Sequence, residues 1–297
     1  GHTPPEYISQ LLDNDLTQTV SCEAKAAEYS EAAGRLGGTL KIHIKLDTGM
    51  SRLGYLCAGN YFDEGVKNVI STCRMPNLYA EGVYTHFAVS DFTDVESMQY
   101  TKKQFELFMN QVDELSKMGI TFSKRHICNS AGILRFPEMH LDLVRAGIIL
   151  YGLMPPGCPK PVKEINLKPV MNWFAKVIHV KTVPVGTTIS YGRHFEAKRP
   201  TEVTTVGIGY ADGLSRKLSN GFELVIGGKK CPIIGNICMD MCMVDTTDLE
   251  TRPNVGDRVT VFGSERSADE LAEALGTINY EITCDVGKRV RRLYVGG

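Results

Sequence analysis

Between Val206 and Gly213 the chain reads VGIGYADG, a short apolar run followed by a tyrosine set between two glycines. Gly209 and Gly213 permit a sharp turn with positive φ, which would lift the phenol of Tyr210 off a strand end and aim it outward. That makes Tyr210 a candidate catalytic group, although the octapeptide by itself is better read as a tyrosine capping a hairpin. Four more clusters follow β-like runs: KLDTGMSR from Lys45 to Arg52, Thr85-His86-Phe87, HICNS with His126, Asn129 and Ser130, and RAGI with Arg145, Gly147 and Ile148. Each has a plain reading by itself. Lys45 and Arg52 fit solvated charges, His86 a hydrogen-bonded core histidine, Asn129-Ser130 a helix cap, and Arg145 a surface ion pair. Gathered on one rim they offer cations, imidazoles and helix-start donors, a set that suits an anionic aromatic ligand.

The elements that must position them alternate. Strand-like runs cover Thr17 to Val20, Leu40 to Leu46, Leu78 to Thr85, Arg125 to Cys128 and Leu141 to Ala146, with helical stretches between. The clearest helix is Tyr100 to Lys117, where Phe105, Phe108, Met109, Val112 and Leu115 form one apolar stripe. Thr3, Pro4 and Glu6 fit a capped helix start. Repeated βα units imply parallel strands covered by helices, in a barrel or a doubly wound sheet. No GxGxxG follows any of these runs, which removes the usual case for a dinucleotide fold. Near Leu153 to Pro161 four prolines in seven residues mark a linker. Beyond it come closely spaced runs with glycine turns: Trp173 to Val183, Val203 to Ile208, Glu223 to Ile226, Lys230 to Ile234, Ile237 to Val244 and Arg258 to Phe262. One helix, Ser267 to Leu275, opens on a Ser267/Glu270 capping box. The expected organisation is α/β plus β: residues 1–165 as part of a (β/α)8 barrel, with about five of its eight units, then residues 166–297 as a mainly antiparallel β domain. A closed barrel needs eight strands, so three units would precede Gly1.

Composition narrows the class. The chain of 297 residues has 33 basic and 34 acidic residues and a net charge of -1, which gives no reason to expect nucleic acid or an anionic membrane as partner. No apolar run approaches the ~18 residues of a spanning helix, and the start does not look like a signal peptide. Nine cysteines with no CxxC pair favour a reducing cytosol. Cys238 and Cys242 lack neighbouring ligands for zinc and are expected to be structural, so no metal is expected.

The motifs HIKLDTGMSRLG, GVYTHFAVSD, HICNSAGILRFP, LVRAGIILYGLMP, ISYG, GYADG, GNICMDMCMVD and GTINYE, in this order along the chain, resemble those of the bacterial alanine racemases, fold-type III enzymes that use pyridoxal phosphate. The resemblance implies a (β/α)8 barrel followed by a β domain, in a head-to-tail homodimer whose active sites are shared. It implies that Arg145 donates to the pyridine nitrogen and that His86 lies against the ring and links to Arg145. Arg52 would sit near the cofactor phenolate and the substrate carboxylate, with Lys45, carbamylated in many members, holding it. Asn129 and Ser130, the Gly147 and Ile148 backbone, and Tyr280 would form the cofactor and phosphate contacts. Tyr210, Met239 and Asp240 would come from the other subunit. Racemisation needs one base on each face of Cα, and Tyr210 would serve one face within the positive field of His86 and Arg145.

One departure matters. The lysine that carries the cofactor in relatives lies on the first barrel strand, in a segment like VKANAYGHG, and no such segment is found in these residues. The chain by itself is therefore expected to bind pyridoxal phosphate weakly and not to turn over. The expected activity of the parent protein is interconversion of L- and D-alanine for peptidoglycan, in the cytoplasm or as the cytoplasmic domain of a membrane-anchored parent. Serine racemase of the vancomycin-resistance type is the alternative. A fold-type III decarboxylase is disfavoured by Arg145, since those enzymes resemble one another in placing a carboxylate at the ring nitrogen. A non-catalytic cofactor carrier is disfavoured by the β domain.

Overall fold

A computed structural model describes residues 1–159 and 165–296. Among them the chain divides into two compact units, one of Gly1–Leu150 with Gly157–Asn166, the other of Tyr151–Pro156 with Leu167–Gly297. Of the proline-rich stretch, Lys160 and Pro161 lie outside the described residues.

In the first unit, strands β1 (Gln18–Val20), β2 (Leu40–Asp47), β3 (Tyr55–Leu56), β4 (Leu78–Tyr84) and β5 (Lys124–His126) form a sheet in the order β1-β2-β4-β5, with β3 paired to the end of β2. Every pairing is parallel. Parallel neighbours need crossovers, and helices supply them: α1 (Ile8–Asp13) before β1, α2 (Glu23–Arg35), α3 (Phe62–Cys73) and α4 (Val95–Lys117) between strands, and α5 (Ser130–Arg135) after β5. On β2 alternation sends Leu40, Ile42, Ile44 and Leu46 into the core, all fully buried, while His43 and Lys45 share the opposite face. Phe108, Val112 and Leu115 form the buried stripe of α4. That helix begins five residues before the expected Tyr100 because the Asp94 carboxylate caps it, accepting from the Ser97 amide at 2.8 Å.

Two sequence expectations are corrected here. Leu141 to Ala146 is not a strand. Leu141 has φ +56, which breaks extension, and the segment makes no ladder with β5, meeting it through two backbone bonds, Asp142 N to Arg125 O (3.1 Å) and Arg145 N to Cys128 O (3.0 Å), and through side chains such as the Asp142 carboxylate on Arg125 N (2.8 Å). The fifth strand of the sheet is instead β3. At the start, Thr3 caps nothing: a 3-10 turn over Pro5–Tyr7 leads into α1 without a side-chain cap.

In the second unit, β6 (Trp173–Val183), β9 (Thr201–Val206), β10 (Glu223–Ile226), β11 (Lys229–Pro232), β12 (Cys242–Asp245) and β13 (Arg258–Phe262) make an antiparallel sheet in the order β11-β10-β13-β6-β9-β12, beside the small pair β7 (Thr188–Ile189) and β8 (Phe195–Glu196). The two ends of the sheet meet through an Ile233–Val244 bridge and a 2.8 Å bond from Ile234 N to Met243 O, so it nearly closes on itself. Gly227 and Gly228, both at positive φ, make the two-residue turn between β10 and β11. Helix α6 (Ala268–Leu275) carries the expected Ser267/Glu270 box, and α7 (Asn279–Asp285) follows. The run from Ile237 is extended only at Cys242–Asp245. Before it, Cys238 N bonds Met241 O at 2.9 Å and closes a turn. Among the described residues no helix is long and apolar enough to cross a membrane, and no group of histidine, cysteine or acid side chains could hold a metal.

Candidate active site

Arg145 is the hub of the first unit's site. Its Nη2 donates to Thr85 O (2.8 Å), His86 Nδ1 (3.0 Å) and Ile127 O (3.0 Å), and its Nη1 to His126 Nδ1 (2.5 Å). The guanidinium also lies 5.1 Å from the centre of the Tyr84 ring. These acceptors come from the ends of β4 and β5, neighbouring strands whose register sets His126 beside Tyr84, and together order and register bring them to one point. Burial pushes the Arg145 cation down from its ordinary range, but arginine has donors only and remains charged.

That donor character fixes the imidazoles. His86 Nδ1 must offer a lone pair to Arg145, so the neutral ring carries its proton on Nε2. Burial, with Arg145, Lys45 and Arg52 adding to it, lowers His86 to about 4. His126 is likewise an acceptor at Nδ1, lies stacked on Tyr84 with ring centres 4.7 Å apart, and is lowered to about 3 by burial and then Arg145. Lys45 is not the solvated charge of its plain reading. It is buried, donates to Leu46 O at 3.1 Å, sits 5.2 Å from the Tyr84 ring centre, and is lowered to about 8 by burial and the Arg145 charge. Arg52 is exposed in the turn after β2. Asp47 Oδ1 organises that turn by accepting from Gly49 N and Ser51 N, both at 3.0 Å.

A second group of donors gathers at the start of α5. Asn129 is its cap, with Oδ1 accepting from Gly132 N and Ser90 Oγ, both at 2.9 Å. Ser130, the first helical residue and 3 % exposed, accepts from Gly147 N at 2.9 Å. Ile148 opens a 3-10 turn over Ile148–Tyr151. A Cβ on Gly147 would stand 3.3 Å from Ser130 Oγ, tighter than ordinary contact, so the missing side chain leaves room for the Gly147 amide and this hydroxyl to meet. A hydroxyl with successive backbone N–H groups is the donor set for a phosphate.

In the second unit, Tyr210 is 45 % exposed and opens a 3-10 turn over Tyr210–Asp212. Gly213 has φ +109 as expected, whereas Gly209 is extended. Gly209 is required for a different reason. A Cβ there would come within 2.5 Å of the Met239 carbonyl, because the Tyr210 and Ala211 amides are hydrogen-bonded to Cys238 O and Met239 O. Tyr210 is thus pinned beside Met239 and Asp240, both exposed. Tyr280 stands at the start of α7, 37 % exposed.

His126 is the residue that motif spacing undervalued. It was visible as part of HICNS, but its bond to Arg145 depends on how β4 and β5 align.

A parallel βα unit with a guanidinium, imidazoles and phosphate-type donors at its strand ends, followed by an antiparallel unit displaying a glycine-pinned tyrosine, is the arrangement of the fold-type III pyridoxal phosphate enzymes. Family sequence models agree: "Alanine racemase, N-terminal domain" matches residues 1–155 and "Alanine racemase, C-terminal domain" residues 170–294. The alanine racemase of Desulfovibrio desulfuricans is 43% identical over 297 residues, covering 99% of this chain and 77% of that protein. That of Methanococcus maripaludis is 44% identical, covering 99% and 78%. Among solved structures, the alanine racemase of Clostridium difficile 630 matches with TM-score 0.90 at 36% identity, covering 98% of this chain and 74% of that one. That of Bacillus anthracis, with bound L-Ala-P, matches with TM-score 0.86 at 35%, covering 98% and 73%. The chain belongs to the alanine racemase family.

Proposed function

We propose that the protein interconverts L- and D-alanine with pyridoxal phosphate, as a homodimer in which Tyr210, Met239 and Asp240 of the partner subunit complete the site around Arg145. The observation that carries this reading is the Arg145–His86 pair: a half-buried permanent cation at parallel strand ends, holding an imidazole whose remaining N–H faces away from it. The donors fit the cofactor. Ser130 and the amides of Gly147 and Ile148 would hold its phosphate, with Tyr280 contributing, and Arg145 would donate to its ring nitrogen. Bound in this way, pyridoxal phosphate supplies an electron sink that acidifies the Cα–H of an attached amino acid.

The protein's own groups then handle the proton. Arg145 can hydrogen-bond the ring nitrogen without protonating it, which keeps the sink weak and disfavours transamination. Deprotonation leans on the bases and the positive field. His86 Nε2–H would donate to the phenol oxygen of the partner's Tyr210, which serves one face of Cα only, removing the α-proton there in one direction of the reaction and delivering one there in the reverse direction, while a second base serves the opposite face. Arg52 would pair with the substrate carboxylate, and Lys45, once carbamylated to an anion, would hold Arg52. The nine cysteines, all free among the described residues, support a reducing compartment such as the cytoplasm.

The test uses the full-length protein. Racemisation is assayed on alanine and serine; absence of turnover on both sinks the reading, and a preference for serine moves it to the alternative substrate. Sharing of sites is tested by mixing Tyr210→Phe with His86→Ala subunits, each inactive when pure. Random reassociation into dimers should restore about a quarter of wild-type activity, since half the dimers then hold one intact site. No recovery would place Tyr210 and His86 of the same chain together.

A further inference from the structure

His43 on β2 and His126 on β5 are separated by a whole strand, β4, and side chains two strands apart start from backbones about 10 Å apart. They nevertheless meet, His43 Nδ1 to His126 Nε2 at 2.9 Å. The passage is open because β4 presents Gly82 between them, in register with His43 on one side and Lys124 on the other. A Cβ on Gly82 would stand 2.6 Å from His43 Nε2 and 2.8 Å from Lys124 O. Just before it the pairing of β2 with β4 skips Glu81, passing from Ile42–Ala80 to His43–Gly82. This bulge is accompanied by a re-aimed side chain. Glu81 Oε2 stands 3.4 Å from His43 Nε2 and Oε1 2.8 Å from Lys124 Nζ.

The chemistry gives this row one direction. Arg145 can only donate, so His126 Nδ1 accepts. Neutral His126 therefore carries its proton on Nε2 and donates to His43 Nδ1. Neutral His43 in turn carries its proton on Nε2, a buried atom whose counterpart is the Glu81 carboxylate, long for a hydrogen bond but within ion-pair reach. A charged His126 would present an N–H to the N–H of Arg145, so protonation is opposed by geometry as well as by burial.

We propose that His43 and His126, threaded over Gly82 and with the Glu81 carboxylate facing the far end of the row, form a one-way chain that holds Arg145 in its orientation and keeps it a full donor toward the site. The role of Arg145 at a ring nitrogen rests on the function proposed above; the chain itself does not. All three are positioning residues, acting through Arg145. The charges facing them agree with neutrality of both rings. Around His126, Arg145, His43 and Lys45 oppose protonation and only Asp142 favours it; around His43, burial, Lys124 and Arg145 oppose it against Glu81.

The first test needs no cofactor. Nitrogen-15 spectra of histidine-labelled, cofactor-free full-length protein should show His43 and His126 as Nε2–H tautomers, unchanged from pH 8 to pH 5.5. An Nδ1–H tautomer, or either ring titrating near 6.5, overturns the chain. The second test compares Glu81→Gln, Glu81→Asp and Gly82→Ala as holoenzymes. Glu81→Gln and Gly82→Ala should lower kcat by about tenfold through loss of alignment. KM for alanine should stay within about twofold, while the visible band of the bound cofactor and the pH profile of kcat shift, and Glu81→Asp should restore most of the rate. If Gly82→Ala does not fold, Glu81→Gln carries the test, since it adds no volume. Wild-type kcat and pH profile in a folded Glu81→Gln protein overturn the proposal. A wild-type protein that binds no pyridoxal phosphate would instead sink the functional reading, with the tautomer result still deciding the chain.

Discussion

Lys45 is a buried amine among cations, and its value of about 8 means that a substantial neutral fraction exists near neutral pH. Only a neutral amine adds carbon dioxide. The product is an anion, which would exchange repulsion from Arg145 and Arg52 for attraction. With labelled bicarbonate, a carbamate carbon signal should grow as pH rises through about 8 and be missing in Lys45→Met; its absence from the wild type would leave Lys45 a plain amine. Tyr280 offers a second residue-scale prediction. If its phenol fills space beside the substrate side chain, Tyr280→Asn should raise serine turnover relative to alanine, and an unchanged ratio counts against that placement. Much of the first unit's site was legible in the sequence, because a βα fold delivers whatever follows each strand to one rim. His86 and Ser130 stand there for that reason, whereas Arg145 arrives on a segment that is not a strand and is fastened to the chain after β5 by its amide on Cys128 O. The value of His126 and His43 was not legible. Their contact needs the alignment of three strands, a bulge at Glu81 and a bare Gly82, none of which a linear motif displays.

At the scale of elements, glycines hold the functional turns against their strands. Gly54 has φ +126, and a Cβ there would fall 2.8 Å from both Asp47 N and Lys45 O, so the chain after Arg52 lies directly on β2. Gly209 is hemmed in by the Met239 backbone in the same manner. Gly209→Ala should therefore displace Tyr210 and cut kcat by about 100-fold, the order expected for an ångström of misplacement, with far-ultraviolet dichroism unchanged. Retained activity would show that this turn tolerates the shift. Strands β6, β10 and β13 have the bounds expected from their alternation, since a half-buried strand must alternate. The failures also have causes. Leu141 to Ala146 is apolar enough to look like a strand, but the positive φ at Leu141 is invisible in composition. Ile237 to Met241 likewise fits an extended run until the Cys238–Met241 hydrogen bond folds it into a turn.

Across the whole molecule, the two strongly depressed imidazoles make stability depend on acidity. The ordinary value is near 6.5, while folding holds His86 at about 4 and His126 at about 3. Below pH 6.5 the unfolded chain binds protons that the folded chain refuses. The contribution is therefore complete above 6.5 and is lost as pH falls toward 4 and then 3. Each ring accounts for about 1.4 kcal/mol per pH unit within its window. Urea midpoints should fall between pH 7 and pH 5, and His126→Asn should remove about half of that extra slope; a slope the same with and without His126 would refute the assignment. The second unit carries a consequence of another kind. Its ring of strands is closed at Ile233 and Val244, eleven positions apart, whereas the pairing of β6 with β13 joins residues more than eighty apart. Loop-closure entropy favours the short connection. The seam of the cylinder should thus be among the first contacts made in folding, and the middle of the sheet among the last. Pulse-labelled hydrogen exchange during refolding should protect the Ile234 amide, which bonds Met243 O across the seam, before the amides of Ala175 and Val259; the reverse order would mean that the ring assembles from its centre.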